Sequence, residues 1–241
     1  MPKKLFVRFS TAQDEKDIFE FYAYHQHQFV FQRDPEVWKE RIASGAVTLI
    51  QDEDGKIVAS AISYPVMKKG ANGNEVHEWT EIGSVRVAVE GIGLFKTLVS
   101  AQVLRAYLLE PPADRFVAEI VVGNNHSKHA FTKNGATLFD IPEELREQVC
   151  KTITSGSNTV EWFQLGVETI PAFAQNFIDS QKNPTVKNKA TGEEYELDFS
   201  RCILVTTFKD EVKDLALQNF GDIKKPDLGR GLNSFKGKFH P

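Results

Sequence analysis

The sequence predicts a mixed α/β fold in which a layer of strands is interleaved with helices. Three observations carry that reading. Short β-prone runs alternate with stretches of helical apolar spacing, an Asp54-Gly55 turn joins two strand-like runs, and a strand feeds through glycines into a long apolar helix. The chain has 241 residues, room for one large domain or two small ones.

Residues 5–9 are apolar and β-prone, and Thr11 stands three residues ahead of Asp14, the spacing of a capping box. From 14 to 31 the apolar residues Ile18, Phe19, Tyr22 and Phe29 recur at helical spacing. Asp34, Pro35 and Glu36 open a second helix, which Gly45 stops. Residues 46–50 and 56–64 form a hairpin, because Asp-Gly supplies the positive φ of a tight turn. Residues 65–77, with Gly70, Asn72, Gly73 and Asn74, read as a surface loop, and 79–89 as a fourth strand.

Glu90, Gly91, Ile92 and Gly93 follow that strand, and the apolar run from Leu94 to Leu108 makes a helix that Pro111 and Pro112 end. Residues 116–122 are almost continuously apolar, the signature of a strand buried on both faces. Residues 124–134 read as a helix with Gly135 past its end, and 136–139 and 159–167 as two more strands. Pro171 sits at the start of a further helix to Ile178. Beyond a polar, turn-rich stretch at 183–194, residues 195–199 and 202–208 are strand-like, and 209–220 is a helix closed by Gly221. Residues 224–241 carry no acid after Asp227 and read as a loosely held basic tail.

Lys and Arg number 29 against 33 Asp and Glu, a net charge of −4, so no general affinity for nucleic acid or anionic membrane is expected outside that tail. Two cysteines, Cys150 and Cys202, are too few for a disulfide framework or a four-thiolate zinc site. No window approaches the roughly 18 apolar residues of a membrane span. The expected location is the cytoplasm.

The fourth strand, its glycine turn and the following helix carry chemistry. Gly91 and Gly93 let the backbone approach a ligand closely, and the unpaired amides of the helix start lie at a positive dipole end, which suits a pyrophosphate. The alternative is a tight turn and nothing more.

The order of elements, the turn Ala88-Val89-Glu90-Gly91-Ile92-Gly93 and the block from Asn124 through Ser127 and Phe131 to Gly135 together resemble the GNAT superfamily of acyl-CoA-dependent N-acyltransferases. The resemblance covers roughly two thirds of the chain. It implies a GNAT-like, mostly antiparallel mixed sheet flanked by helices in residues 1–168, with 169–241 as a C-terminal extension. It also implies acetyl-CoA or another short acyl-CoA as cosubstrate and an amine acceptor, small or macromolecular; no metal is expected, because no carboxylate or cysteine accompanies His126 and His129 at metal-ligand spacing. Residues Val85, Val87, Val89, Glu90, Gly91, Ile92, Gly93, Leu94, Asn124, Ser127 and Phe131 would hold the coenzyme.

Glu81, on the fourth strand, resembles the family's frequent strand carboxylate and would be the general base, an outward-facing strand glutamate being the alternative. Tyr24, His25 and His27 lie where the family's helix pair borders the acceptor, although surface histidines are the simpler reading. Two departures stand out. Ala88 replaces the family's Arg or Gln, and Phe131 stands where a tyrosine often protonates the leaving thiolate. Together with Glu90, an added anion near the polyanionic ligand, they favour a rival reading, a non-catalytic acyl-CoA-binding or interaction module. A third reading is a modifier of one macromolecule docked by the basic tail; a homodimer stays open.

Overall fold

The computed structural model describes residues 2–25, 30, 32–70, 72–89, 91–110, 115–151, 153–155 and 159–218. Strand β1 (Lys3–Phe9) leads into α1 (Glu15–Tyr24) and, past the short β2 (Gln32–Arg33), α2 (Pro35–Ala43). Strands β3 (Val47–Gln51), β4 (Ile57–Lys69) and β5 (Glu75–Val87) form a meander, followed by α3 (Leu94–Leu109), β6 (Arg115–Val121), α4 (Asn125–Lys133), β7 (Thr137–Leu138) and α5 (Glu143–Cys150). The chain continues through β8 (Ile153–Ser155), β9 (Val160–Gly166), α6 (Ile170–Lys182), β10 (Thr185–Lys187), β11 (Glu194–Asp198), α7 (Ile203–Thr206) and α8 (Lys209–Leu217).

Among the described residues the main sheet has nine strands in the order β10-β11-β1-β3-β4-β5-β6-β9-β7. Only β1/β11 and β5/β6 are parallel; the other pairs are antiparallel, as expected of a mixed, mostly antiparallel sheet. One face buries α3 and α6 with Leu98, Leu104, Phe173 and Phe177, and α1 and α2 cover the other with Ile18, Tyr22, Trp38 and Ile42. A third cluster sets Leu145 and Val149 of α5 over Val66, Val117 and Trp162. No helix among the described residues is long and apolar enough to cross a membrane.

Local signals hold where a side chain enforces them. The Thr11–Asp14 capping box forms, with the Thr11 amide donating to Asp14 at 2.7 Å, and Asp34 caps α2 by accepting from the Glu36 amide at 2.9 Å. At the C-terminal end of α3, Glu110 is buried and accepts from Arg41, Arg105 and, at 2.9 Å, the Ser63 hydroxyl, which ties both helical faces to β4.

Several expectations need correction. Residues 65–77 are not a loop: β4 and β5 pair from Ala59↔Val87 out to Lys69↔Glu75, leaving only a turn near Gly73. Pro65 is tolerated because β3 ends opposite Ile62, so β4 is a sheet edge on that side beyond it. Residues 202–208 are not a strand. They hold the short helix α7, whose Leu204 enters the main core; a short apolar run does not distinguish the two periods. The first helix stops at Tyr24 rather than 31, and residues 183–194 hold β10. The basic tail, 224–241, lies outside the described residues.

Candidate active site

Strands β5 and β6 pair in parallel only at Thr80↔Phe116 and Glu81↔Val117. Beyond that they part. The cause lies in β5, where Ser60↔Arg86 and Ile62↔Gly83 set one residue too many against β4, and Ser84 takes a positive φ of 48°. The bulge is fastened from two sides: the Tyr22 hydroxyl donates to the Ser84 carbonyl at 2.5 Å, and the Tyr64 hydroxyl lies 2.8 Å from the Ser84 hydroxyl.

The splay opens a cleft of about 490 Å³, lined by Ser84 to Val87 on one side, Glu119, Ile120 and Phe131 on the other, and the glycine turn at one end. Gly91 and Gly93 both take positive φ, 79° and 74°, conformations that side-chained residues avoid. Among the described residues no side chain caps α3 at Gly93, and its first turn carries no acid, so the first amides of this buried helix have no side-chain acceptor at its positive end. Asn124 caps α4 instead, accepting from the Ser127 amide at 3.2 Å. The extension reaches this end as well: the Asn188 side-chain oxygen lies 3.6 Å from where a Cβ on Gly91 would sit.

At the opposite end stand three charged side chains. Arg33 donates to Glu81 and, at 3.2 Å, to the carbonyl of Val149, while its guanidinium lies 4.3 Å from the centre of the Tyr64 ring. Glu81 is 2% exposed, and its second oxygen is buried without a hydrogen-bond partner among the described residues. Glu119, half-buried on β6, likewise has an unpartnered buried oxygen.

No protein-family model and no curated protein matches the sequence. Solved structures do. A candidate acetyltransferase from Acinetobacter baylyi ADP1 superposes with a TM-score of 0.50 at 18% identity, covering 68% of this chain and 92% of that one. The chain has the GNAT fold. A GNAT superfamily phosphinothricin acetyltransferase from Sinorhizobium meliloti, solved with acetyl-CoA, gives 0.49 at 17% identity over 69% of this chain and 89% of that one. A GNAT-family acetyltransferase from Streptococcus pneumoniae gives 0.49 at 14% over 67% and 99%.

On this GNAT fold the sequence-derived residues fall into three groups. Glu81, Val85, Val87, Val89, Gly91, Gly93, Leu94, Asn124, Ser127 and Phe131 all line the cleft. Ile92 does not; it is buried in the core beneath the turn. Tyr24 is 82% exposed and, with His25, lies outside the cleft lining, whereas Glu90 and His27 lie outside the described residues. Phe131 is buried edge-to-face against Phe95, their ring centres 5.9 Å apart, and presents no hydroxyl.

Burial pushes the Glu81 carboxyl above its usual range, and the Arg33 charge opposes that shift. Burial, then the neighbouring Glu81 charge, push Glu119 up to about 8. Burial and these same carboxylates raise the Cys150 thiol, the behaviour of an inert cysteine. Sequence reasoning missed Glu119, Arg33 and Arg86. A signal for the first was present: Glu119 is the one charged residue in the apolar run 116–122. Arg33 had none, because only folding carries the segment before α2 to β5.

Proposed function

We propose that this protein is an acyl-CoA-dependent N-acyltransferase, moving an acetyl or other short acyl group to an amine by direct transfer in a ternary complex. One observation carries the reading: a single cleft joins the uncapped helix start at the glycine turn to a carboxylate that burial keeps protonated up to about pH 8.

The residues present fit the coenzyme. The turn at Gly91 and Gly93 offers backbone amides and close approach for a pyrophosphate, and the unpaired edge of β5 beyond the bulge offers peptide groups to a pantetheine amide. Bound acyl-CoA supplies the thioester carbonyl that the amine attacks. Glu119 is the general base in this scheme, taking the proton from the acceptor's ammonium so that the nitrogen lone pair is free. Glu81, the base expected from sequence, instead acts through its neighbours: it is clamped by Arg33, and its charge keeps Glu119 basic. With Phe131 offering no proton, the thiolate leaves unaided or is protonated by water, a thiol pKa near 8.5 making that feasible.

The rival, a coenzyme-binding module without turnover, draws on Ala88, Glu90 and Phe131 together. Acetyl-CoA titration followed by a free-thiol assay over an amine panel separates the two. A rise in melting temperature with release of coenzyme A supports the transferase; a rise without release supports the module, and no rise refutes both.

A further inference from the structure

Among the described residues, Arg86 is the cleft-lining guanidinium left over. It sits on β5 opposite Ser60, past the bulge, with its Nε buried. Among the described residues its side chain makes no hydrogen bond and no ion pair. Burying part of a guanidinium without a counter-charge is costly, and fixed sites of this kind serve anions that arrive from outside. Among the described residues, the groups on which the Arg86 charge acts are not anions. His25, held below its usual pKa first by burial and then by the Arg86 charge, and Tyr22 are the groups in its field from α1, and Lys56 adds a further positive charge there.

The cleft thus carries an unpartnered cation on β5 and, on β6, a carboxylate with an unpartnered oxygen. Resting on the transferase reading, we infer that the acceptor is an amine that itself bears an anionic group, carboxylate or phosphate: the ammonium end goes to Glu119 and the anion to Arg86. The planar fork of an arginine matches such oxyanions in a bidentate fashion, while the position of Glu119 fixes which end of the acceptor meets the thioester. A plain alkylamine or a polyamine would leave the guanidinium bare.

Matched acceptor pairs test this with the full chain and acetyl-CoA: β-alanine against ethylamine, histidine against histamine, tyrosine against tyramine, and phosphoethanolamine against ethanolamine. The anionic member of at least one pair should have a kcat/KM at least about tenfold higher, the worth of one charged hydrogen bond, and the pair that shows it tells carboxylate from phosphate. Arg86→Gln should erase that preference through KM while leaving the coenzyme affinity, measured by calorimetry, within about twofold. Equal rates within every pair, or preference for the uncharged member, overturns the inference and leaves the transferase reading standing. So does an Arg86→Gln variant whose main loss is coenzyme affinity, which would assign the guanidinium to the coenzyme. If nothing is acylated although acetyl-CoA binds, the transferase reading fails by itself. Thermal shifts then decide Arg86: stabilisation by the anionic members alone, lost in Arg86→Gln, supports it, and no such stabilisation overturns it.

Discussion

Glu119 stands two residues past Val117, the direct partner of Glu81, so two carboxylates from parallel neighbours share one side of the sheet. Burial of Glu119 and the charge on Glu81 hold a proton on Glu119 up to about pH 8. A base must lose that proton before it can act, so kcat/KM should rise with pH and level off above about 8. Glu119→Gln should lower kcat by about 10² to 10⁴ and flatten that limb. A pH–rate series that keeps its limb in the variant would remove Glu119 from the role.

Glu81→Gln has the opposite signature. It deletes the like charge beside Glu119 and keeps the Arg33 cation, whose charge already opposes the rise, so the ionised form of Glu119 is favoured. The acidic limb should therefore move to lower pH while turnover persists above it. Were Glu81 itself the proton acceptor, the variant would lose turnover at every pH, and the same titration tells the two apart.

Gly91→Val should abolish coenzyme binding with little change in fold. The φ of 79° is strained for a β-branched residue, while its Cβ would meet nothing closer than Asn188 at 3.6 Å. Native protein should gain about 2.7 kcal/mol of stability at a hundredfold excess of acetyl-CoA over its Kd, and the variant none. A full thermal shift in the variant would move the coenzyme away from the turn.

Glu110 governs acid stability. Arg41 and Arg105 hold its carboxyl down to about 2 against an ordinary 4.5, although burial alone would raise it. A depressed carboxylate contributes stability that is present above the unfolded value and lost as the pH falls through the folded one, here between about 4.5 and 2. Glu110→Gln should cost about 3–5 kcal/mol at pH 7 by leaving two guanidinium groups buried without their anion. The gap from native should narrow toward pH 2, read from urea melts at pH 7 and pH 3. A constant gap would show that the cost is packing rather than charge.

Much of this architecture is legible in the residues. The Asp54-Gly55 hairpin, the Asp34-Pro35 helix start and the glycine turn before Leu94 each depend on neighbours in sequence, and each appears where expected. The glycine-turn end of the cleft was legible for the same reason, because Gly91, Asn124 and Ser127 depend on local backbone geometry. The end that holds Arg33, Glu81 and Glu119 was not. Arg33 meets Glu81 across 48 residues and Val149 across 116, and Glu119 gains its basicity from burial, which a linear reading of charges does not weigh. The β4/β5 hairpin was hidden by Pro65 and the glycines, whose turn-forming tendency gave way to pairing along the whole strand.

The parallel pairing of β1 with β11 has a bearing on how the chain is made. Lys3 meets Glu193 at 2.8 Å across 190 residues. At a synthesis rate of roughly 5–20 residues per second, the second strand leaves the ribosome about 10–40 s after the first. During that interval one edge of β1 has no hydrogen-bonding neighbour, and the face of α3 that α6 will cover is open to solvent. Nascent chains are therefore exposed to wrong edge-to-edge pairing until β11 emerges, and a holding chaperone would have its greatest value just before residues 194–198 leave the ribosome.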